Sequence, residues 1–303
     1  MATTDAALEC DAAHRGLGGN ASTFATPWRA REMKFIRFSV TFWAALAGQS
    51  VLCYAGPYAP AADQAGSTAI GKSDPGIIGW ATGYQDYTLG TNVDAVWQTP
   101  EKALGPAVGD SFDIVSLGRG GAITLVFGNP ITDGAGFDFA VFENGIADTF
   151  LELGYVEASS NGTDFFRFAN DSLSPNPVGA FGTLDPTNVD GLAGKYRQGF
   201  GTPFDLAELA GVSPLLDVAN VAYVRIVDIV GDGTYLDSSG DPIYDPYPTI
   251  GSAGFDLEAV AVLHAVPEPL GWQPALVAVL AMLGAAWRYR RLSIHLINRS
   301  TLR

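Results

Sequence analysis

The feature that most constrains this chain is a series of short β-type runs separated by turn signals. GGAITLVFG (120–128) sets Ile123, Leu125 and Phe127 against Ala122, Thr124 and Val126, and FDFAVFEN (137–144) alternates Phe137, Phe139 and Val141 with Asp138, Ala140 and Phe142. Successive side chains of a strand point to opposite faces, so each run can bury one side. YVEASSNGTDFFRF (155–168) places two β-favouring runs around Asn161-Gly162, the pair that best supplies positive φ at both central positions of a hairpin turn. VAYVRIVDIV (221–230) and GFDLEAVAVL (254–263) complete the set. Strands at this spacing predict a mainly β fold, an antiparallel β-sandwich over residues 77–264. One stretch, PFDLAELAG (203–211), reads as a short helix, with Asp205 near its start and Gly211 at its stop. Residues 56–76 are rich in Gly, Pro, Ala and Ser without periodicity and read as a flexible leader.

Charge and residue inventory exclude several function classes. The net charge is −15, and between residues 56 and 264 there are 27 Asp and Glu against 7 Lys and Arg, a net −20. A body this acidic repels a phosphate backbone, so nucleic acid is not an expected partner and cations are. Both cysteines, Cys10 and Cys53, precede residue 56, and of the three histidines only His264 falls within the body. That leaves no thiol nucleophile, no disulfide within the domain and no Cys/His zinc cluster there. A Ser-His-Asp triad would have to use His264, which ends a strand-like run before a linker.

The two ends read as addresses. MKFIRFSVTFWAALAGQSVLCYAG (33–56) has Lys34 and Arg37, an apolar run over 38–47, and small residues Cys53 and Ala55 before a cleavage point. This is the three-part pattern of a secretory signal, cleaved after Ala55. Residues 1–32 precede it, which predicts that translation starts at Met33. At the other end, 270–287 is an apolar stretch of 18 residues, about the length that spans a bilayer as a helix. Arg288, Arg290 and Arg291 follow at once, and residues 292–303 form a short tail. Basic residues after a span stay cytoplasmic, so the acidic body is expected on the outer side.

Val266-Pro267-Glu268-Pro269, the apolar stretch and the arginine cluster together resemble the PEP-CTERM sorting signal of exported bacterial proteins. That resemblance implies that Pro267, Glu268 and Pro269 are recognised by an exosortase-type membrane enzyme. It also implies a path from an inner-membrane-anchored intermediate to the cell surface or extracellular matrix. The sequence differs from the family pattern in Leu270-Gly271 after the motif and in the twelve residues beyond Arg291. SLGRGGAITLVFGNPITDGAGFDFAVFENG and GSAGFDLEAVAV are similar to the single extracellular domain of many PEP-CTERM surface proteins. The Ser-Ser-Asn-Gly hairpin is similar to one in galactose-binding-like jelly rolls, which implies a jelly-roll-like version of the sandwich.

The segment DIVGDGTYLDSSGDPIYD (228–245) carries five aspartates and no basic residue, within a connection of about 23 residues that lacks periodicity. Two carboxylates about 4 Å apart repel by roughly 4 kcal/mol at the effective dielectric of a partly buried site, so a group of them needs solvent or a cation. Calcium, a hard ion taking about six to eight oxygens, suits an exported protein. The expected ligands are Asp228 and Asp256 at the mouths of the connection, with Asp232 and Asp237 closing over them. Asp138, Glu143 and Asn144 form a second candidate group. The plain alternative is a solvated acidic loop of Asp-Gly and Asp-Pro turns. Glu143 and Glu157 are the acid pair to consider for an extracellular carbohydrate-active enzyme. Trp80, Tyr84, Trp97, Tyr235, Tyr244 and Tyr247 sit in Gly- and Pro-rich loops, where they cap the sandwich core or, as Trp97 and Tyr244, stack on extracellular polysaccharide. The reading as a whole is an exported, anchored, non-enzymatic cell-surface protein stabilised by calcium.

Overall fold

The computed structural model describes residues 56–110 and 112–267, together with Met282. The signal segment 33–55, the preceding 1–32, the apolar stretch 270–287, Glu268, Pro269, Arg288, Arg290, Arg291 and the tail 292–303 lie outside the described residues. Among the described residues no helix is long and apolar enough to cross a membrane.

Among the described residues fifteen strands are formed. They are Ile70–Gly71 (β1), Gly79–Trp80 (β2), Gly83–Thr88 (β3), Val115–Ser116 (β4), Ala122–Ile131 (β5), Phe139–Glu143 (β6), Gly154–Ser159 (β7) and Phe166–Arg167 (β8). Asp171–Ser172 (β9), Val189–Asp190 (β10), Phe200–Phe204 (β11), Val221–Asp228 (β12), Asp232–Leu236 (β13), Pro242–Tyr244 (β14) and Asp256–Val262 (β15) follow. One sheet runs β1-β11-β6-β15-β2, with β4 also paired to β15, and a second runs β3-β5-β12-β7-β8. Every pairing between named strands is antiparallel.

The alternation in the sequence explains which face each strand buries. Phe139 and Val141 from β6, Ile123 and Leu125 from β5, Val156 from β7 and Val224 and Ile226 from β12 all belong to one buried cluster. That cluster therefore draws on both sheets. Phe139 stacks on Phe204 with ring centroids 5.3 Å apart, and Phe168 meets both rings at 5.7 and 5.0 Å. The opposite phase of β6, Ala140 and Phe142, packs with Ala259, Ala261 and Ala107 in a separate cluster. Likewise Leu151, Leu153 and Tyr155 pack outside the second sheet with Ile229 and Ile243.

Three expectations change on contact with the structure. The helix over 203–211 is a single 3-10 turn, Leu206–Leu209, because Phe200–Phe204 pairs with β6 and leaves only one turn of chain for helix. Asp205 does cap it, accepting from the Ala207 N–H at 2.9 Å. The connection after β12 is not structureless: it carries its own hairpin, β13 with β14. Residues 56–76 also pack on the domain. Gly56 N–H donates to Thr187 Oγ1 at 2.6 Å, Tyr58 bonds Asp171, Ala61 and Ala62 are buried, and β1 pairs with β11.

Candidate metal centre

The inward stripe of several strands ends in a carboxylate. On β6 the core positions Phe139 and Val141 are followed two residues later by Glu143, and on β12 Val224 and Ile226 are followed by Asp228. With a period of two, both acids face the space that the two sheets share. Asp256 opens β15 opposite Ser116, and the next residue, Leu257, is opposite Glu143. Glu152 precedes β7, out of phase with Leu151 and Leu153, which pack in the outer cluster. β7 is in turn registered so that Gly154 faces Asp228. Glu143 is 1% exposed, Glu152 5%, Asp228 0% and Asp256 2%.

These four acids differ in how their oxygens are satisfied. Asp228 is complete, since Oδ1 accepts from Phe255 N–H and Oδ2 from Gly120 N–H, each at 2.7 Å. A Cβ on Gly254 would lie 2.4 Å from Asp228 Oδ1, and its φ is +70°, so the close approach requires glycine. Glu143 Oε2 accepts from Gly145 N–H at 2.7 Å, but Glu143 Oε1, Glu152 Oε1 and Asp256 Oδ1 have no hydrogen-bond partner and are out of contact with solvent. Leaving a buried acceptor unmade costs about 1–3 kcal/mol, and more when it is charged. Three such oxygens at one end of the core need a cation or a proton.

The charges of these groups add to the effect of their burial. Burial pushes the Glu143 carboxyl well above the usual range, the charges of Asp256 and Glu258 add to it, and the N–H groups of Gly145 and Asn144 oppose it. Glu152 is raised in the same way, first by burial and then by Asp256, Glu143, Asp245 and Asp228. Burial raises Asp256 to about 7 against the opposing effect of Ser116, Ser252 and Asn144. Asp228 reaches about 7 by burial, with Gly120 and Phe255 N–H opposing. Among the described residues, Asp133, Asp138 and Asp205 are the acids whose oxygens all lie within 4.8 Å of one another, and Glu143, Glu152 and Asp256 are not such a set. To share one hard cation these three would have to draw together, with Asn144, 8% exposed and set against Asp256, as a further donor.

The structure places the expected ligands as follows. From the first set only Asp256, with Asp228 beside it, belongs to this cluster. Asp232 is exposed and spends Oδ1 on Thr234 N–H and Oγ1 within β13. Asp237 closes the β13–β14 turn, accepting from Ser239 and Asp241 N–H at 2.9 Å, and ties it to Ser172 N–H at 3.1 Å. From the second set, Glu143 and Asn144 stand at one end of β6 and Asp138 at the other, about 17 Å away at the usual strand rise. Asp138 lies with Asp133 and Asp205, their oxygens within 4.8 Å of one another. Its own oxygens are already taken by Gly134 N–H, Leu206 N–H and His264 Nδ1.

Other sequence-derived candidates are also placed. Glu157 is clamped by Arg167 at 2.8 Å and Arg225 at 2.5 Å on the second sheet, out of phase with the inward Val156 and Ala158. It does not face Glu143 across a substrate space. Trp97 is half-buried and stacks on Phe112 at 6.2 Å, and the half-buried Tyr244 lies over Gly233, whose added Cβ would be 2.5 Å from the ring. Glu152 was not marked by the sequence, although its alternation against Leu151 and Leu153 was visible there. Asp245 was counted in the acidic run but not chosen. It is 3% exposed, accepts from Leu153 N–H at 2.9 Å, and burial raises it well above the usual range. No protein-family model and no curated protein matches the chain, so what it does rests on the chemistry of these residues.

Proposed function

We propose that this is an exported, envelope-anchored, non-enzymatic β-sandwich of jelly-roll type, clamped at one end by calcium bound to Glu143, Glu152, Asp256 and Asn144. The observation that carries this reading is the trio of solvent-excluded, unpartnered oxygens on Glu143, Glu152 and Asp256. A cation there offsets their mutual repulsion and joins β6 and β15 of one sheet to the chain entering β7 of the other. Calcium fits better than magnesium because the donors are irregularly placed oxygens and a dry site suits an ion that sheds its water readily. Export follows from the signal-like segment ahead of the domain. Anchoring follows from the PEP-CTERM resemblance beyond Val266, with an exosortase-type enzyme and the membrane as partners. The role at the cell surface or in the extracellular matrix is structural or adhesive, with extracellular polysaccharide as the partner.

The test is thermal unfolding of the purified protein in EGTA and in millimolar CaCl2 at neutral pH. Calcium at about 100 times its Kd adds about 2.7 kcal/mol to the folded state. For a domain of about 200 residues this raises Tm by roughly 5–11 °C, at about 2–4 °C per kcal/mol. Equal Tm in both buffers overturns the calcium assignment.

A further inference from the structure

A cleft beside β11 has polar groups the fold does not use. It is lined by Lys195, Thr202, Glu208, Asp190, Phe137 and Phe204, among others, and its volume is about 120 Å3. Thr202 lies on β11 opposite Val141, is 5% exposed, and its Oγ1 has no hydrogen-bond partner. The Lys195 side chain is 3% exposed and its ammonium makes one hydrogen bond, to Val189 O at 2.7 Å. Asp190 stands 4.0 Å away, and the Tyr58 and Tyr196 rings lie 5.9 and 5.8 Å from the ammonium. An ammonium has three donors, so two remain to be used. Burial lowers the Lys195 pKa against the charge of Asp190. At the rim, burial raises Glu208, with Asp190 and Asp205 adding to it.

We infer that this cleft binds the end of a neutral, hydroxyl-rich ligand, namely the terminal sugar of an uncharged polysaccharide, through Lys195 and Thr202. A sugar hydroxyl accepts from Lys195 Nζ, and its neighbour exchanges a hydrogen bond with Thr202 Oγ1. The C–H face of the ring packs on Phe137, the aromatic side chain that the cleft leaves 36% exposed. Charge selects against the alternatives. Lys195 is already balanced by Asp190, and Glu208 adds a second carboxylate, so a uronate meets no net attraction. A cationic sugar would compete with Lys195 for the same space. The volume is below the roughly 300 Å3 that a whole small-molecule ligand fills, which fits end-on capture of a chain terminus.

This inference rests on the extracellular reading above but not on the calcium cluster. The experiment is saturation-transfer NMR and calorimetric titration of the purified protein with neutral hexoses and pentoses, with glucuronate and glucosamine as controls, in calcium and in EGTA. Thr202→Val keeps the shape of the side chain and removes the hydroxyl, and Phe137→Ala removes an exposed ring, so neither needs the core to rearrange. A neutral sugar binds in the millimolar range, and each variant weakens it about tenfold, as expected for one lost hydrogen bond or stacking contact. Thr202→Val keeps or raises Tm, because it removes an unpartnered buried hydroxyl, and Phe137→Ala retains a single cooperative unfolding transition. No saturable signal from any neutral sugar, equal affinity in Thr202→Val, or preference for glucuronate each overturns the inference. A calcium-dependent Tm without sugar binding sinks this inference alone, and sugar binding without a calcium shift sinks the calcium assignment alone.

Discussion

Leu257, the residue after Asp256, lies directly opposite Glu143 on the paired strand, so burial first and the neighbouring charge of Asp256 second push the Glu143 carboxyl up. The sheet register itself brings these carboxylates together, and Glu152 joins them from the chain entering β7. Two outcomes can relieve such a group: protons or a cation. The predictions below separate them.

Glu152→Gln removes one buried charge while keeping the shape. Without calcium at neutral pH the variant is expected to be more stable than wild type, because a carboxyl raised this far by burial opposes folding when ionised. In calcium the order reverses, and most of the calcium-dependent rise in Tm disappears. Differential scanning fluorimetry in the two buffers checks both halves.

The pH dependence of the calcium-free protein follows from Asp228 and Asp256, both pushed up to about 7 from 3.8. Between those values the folded state holds protons that the unfolded chain has released, so stability falls as pH rises from about 4 to about 7. The contribution is full below the unfolded value and is lost above the folded one. If calcium occupies the proposed site it is expected to act oppositely, with its effect on Tm largest above pH 7 and smallest near pH 5. Chemical denaturation at several pH values, with and without EGTA, measures this.

Asp237→Ala removes the acceptor for the N–H groups of Ser172, Ser239 and Asp241. A loss of about 1–2 kcal/mol is expected, comparable to deleting a helix cap. The calcium-dependent shift stays at its wild-type size, as it does for Asp232→Ala. A lost shift in either variant would return the site to the β13–β14 hairpin.

Phe139→Ala opens the contact between both sheets where Phe139 meets Phe204 and Phe168. The expected cost is about 3–5 kcal/mol, a large part of a typical total of about 5–15 kcal/mol. A lowered urea midpoint with unchanged calcium affinity is the expected readout.

Much of the β framework was legible because alternation is a local property. Runs 137–144, 221–230 and 254–263 each contain a strand and 120–128 covers most of β5, while the expected hairpin does join β7 to β8 but over residues 160–165, with positive φ at Gly162 (+73°) and not at Asn161. The helix at 203–211 was over-read because Leu206 and Leu209 fit a helical spacing, while the pairing of Pro203 and Phe204 with β6 is set by residues far away in sequence. The acidic cluster was only half legible. Five aspartates in 228–245 drew attention to a run that spends Asp232 and Asp237 on its own turns. The unpartnered carboxylates come instead from three separate strand ends, and only the register of β6, β7, β12 and β15 brings them together. Gly136-Phe137-Asp138 and Gly254-Phe255-Asp256 both have a glycine with positive φ and a buried aspartate, but Phe137 is 36% exposed and Phe255 is buried.

Calcium titration by calorimetry at pH 7, repeated in two buffers of different ionisation enthalpy, is the most direct test of a cation among Glu143, Glu152 and Asp256. The expected result is saturable binding accompanied by proton release, since carboxyls raised by burial must deprotonate to become ligands. Absence of binding heat, or binding that leaves the proton count unchanged, would contradict it.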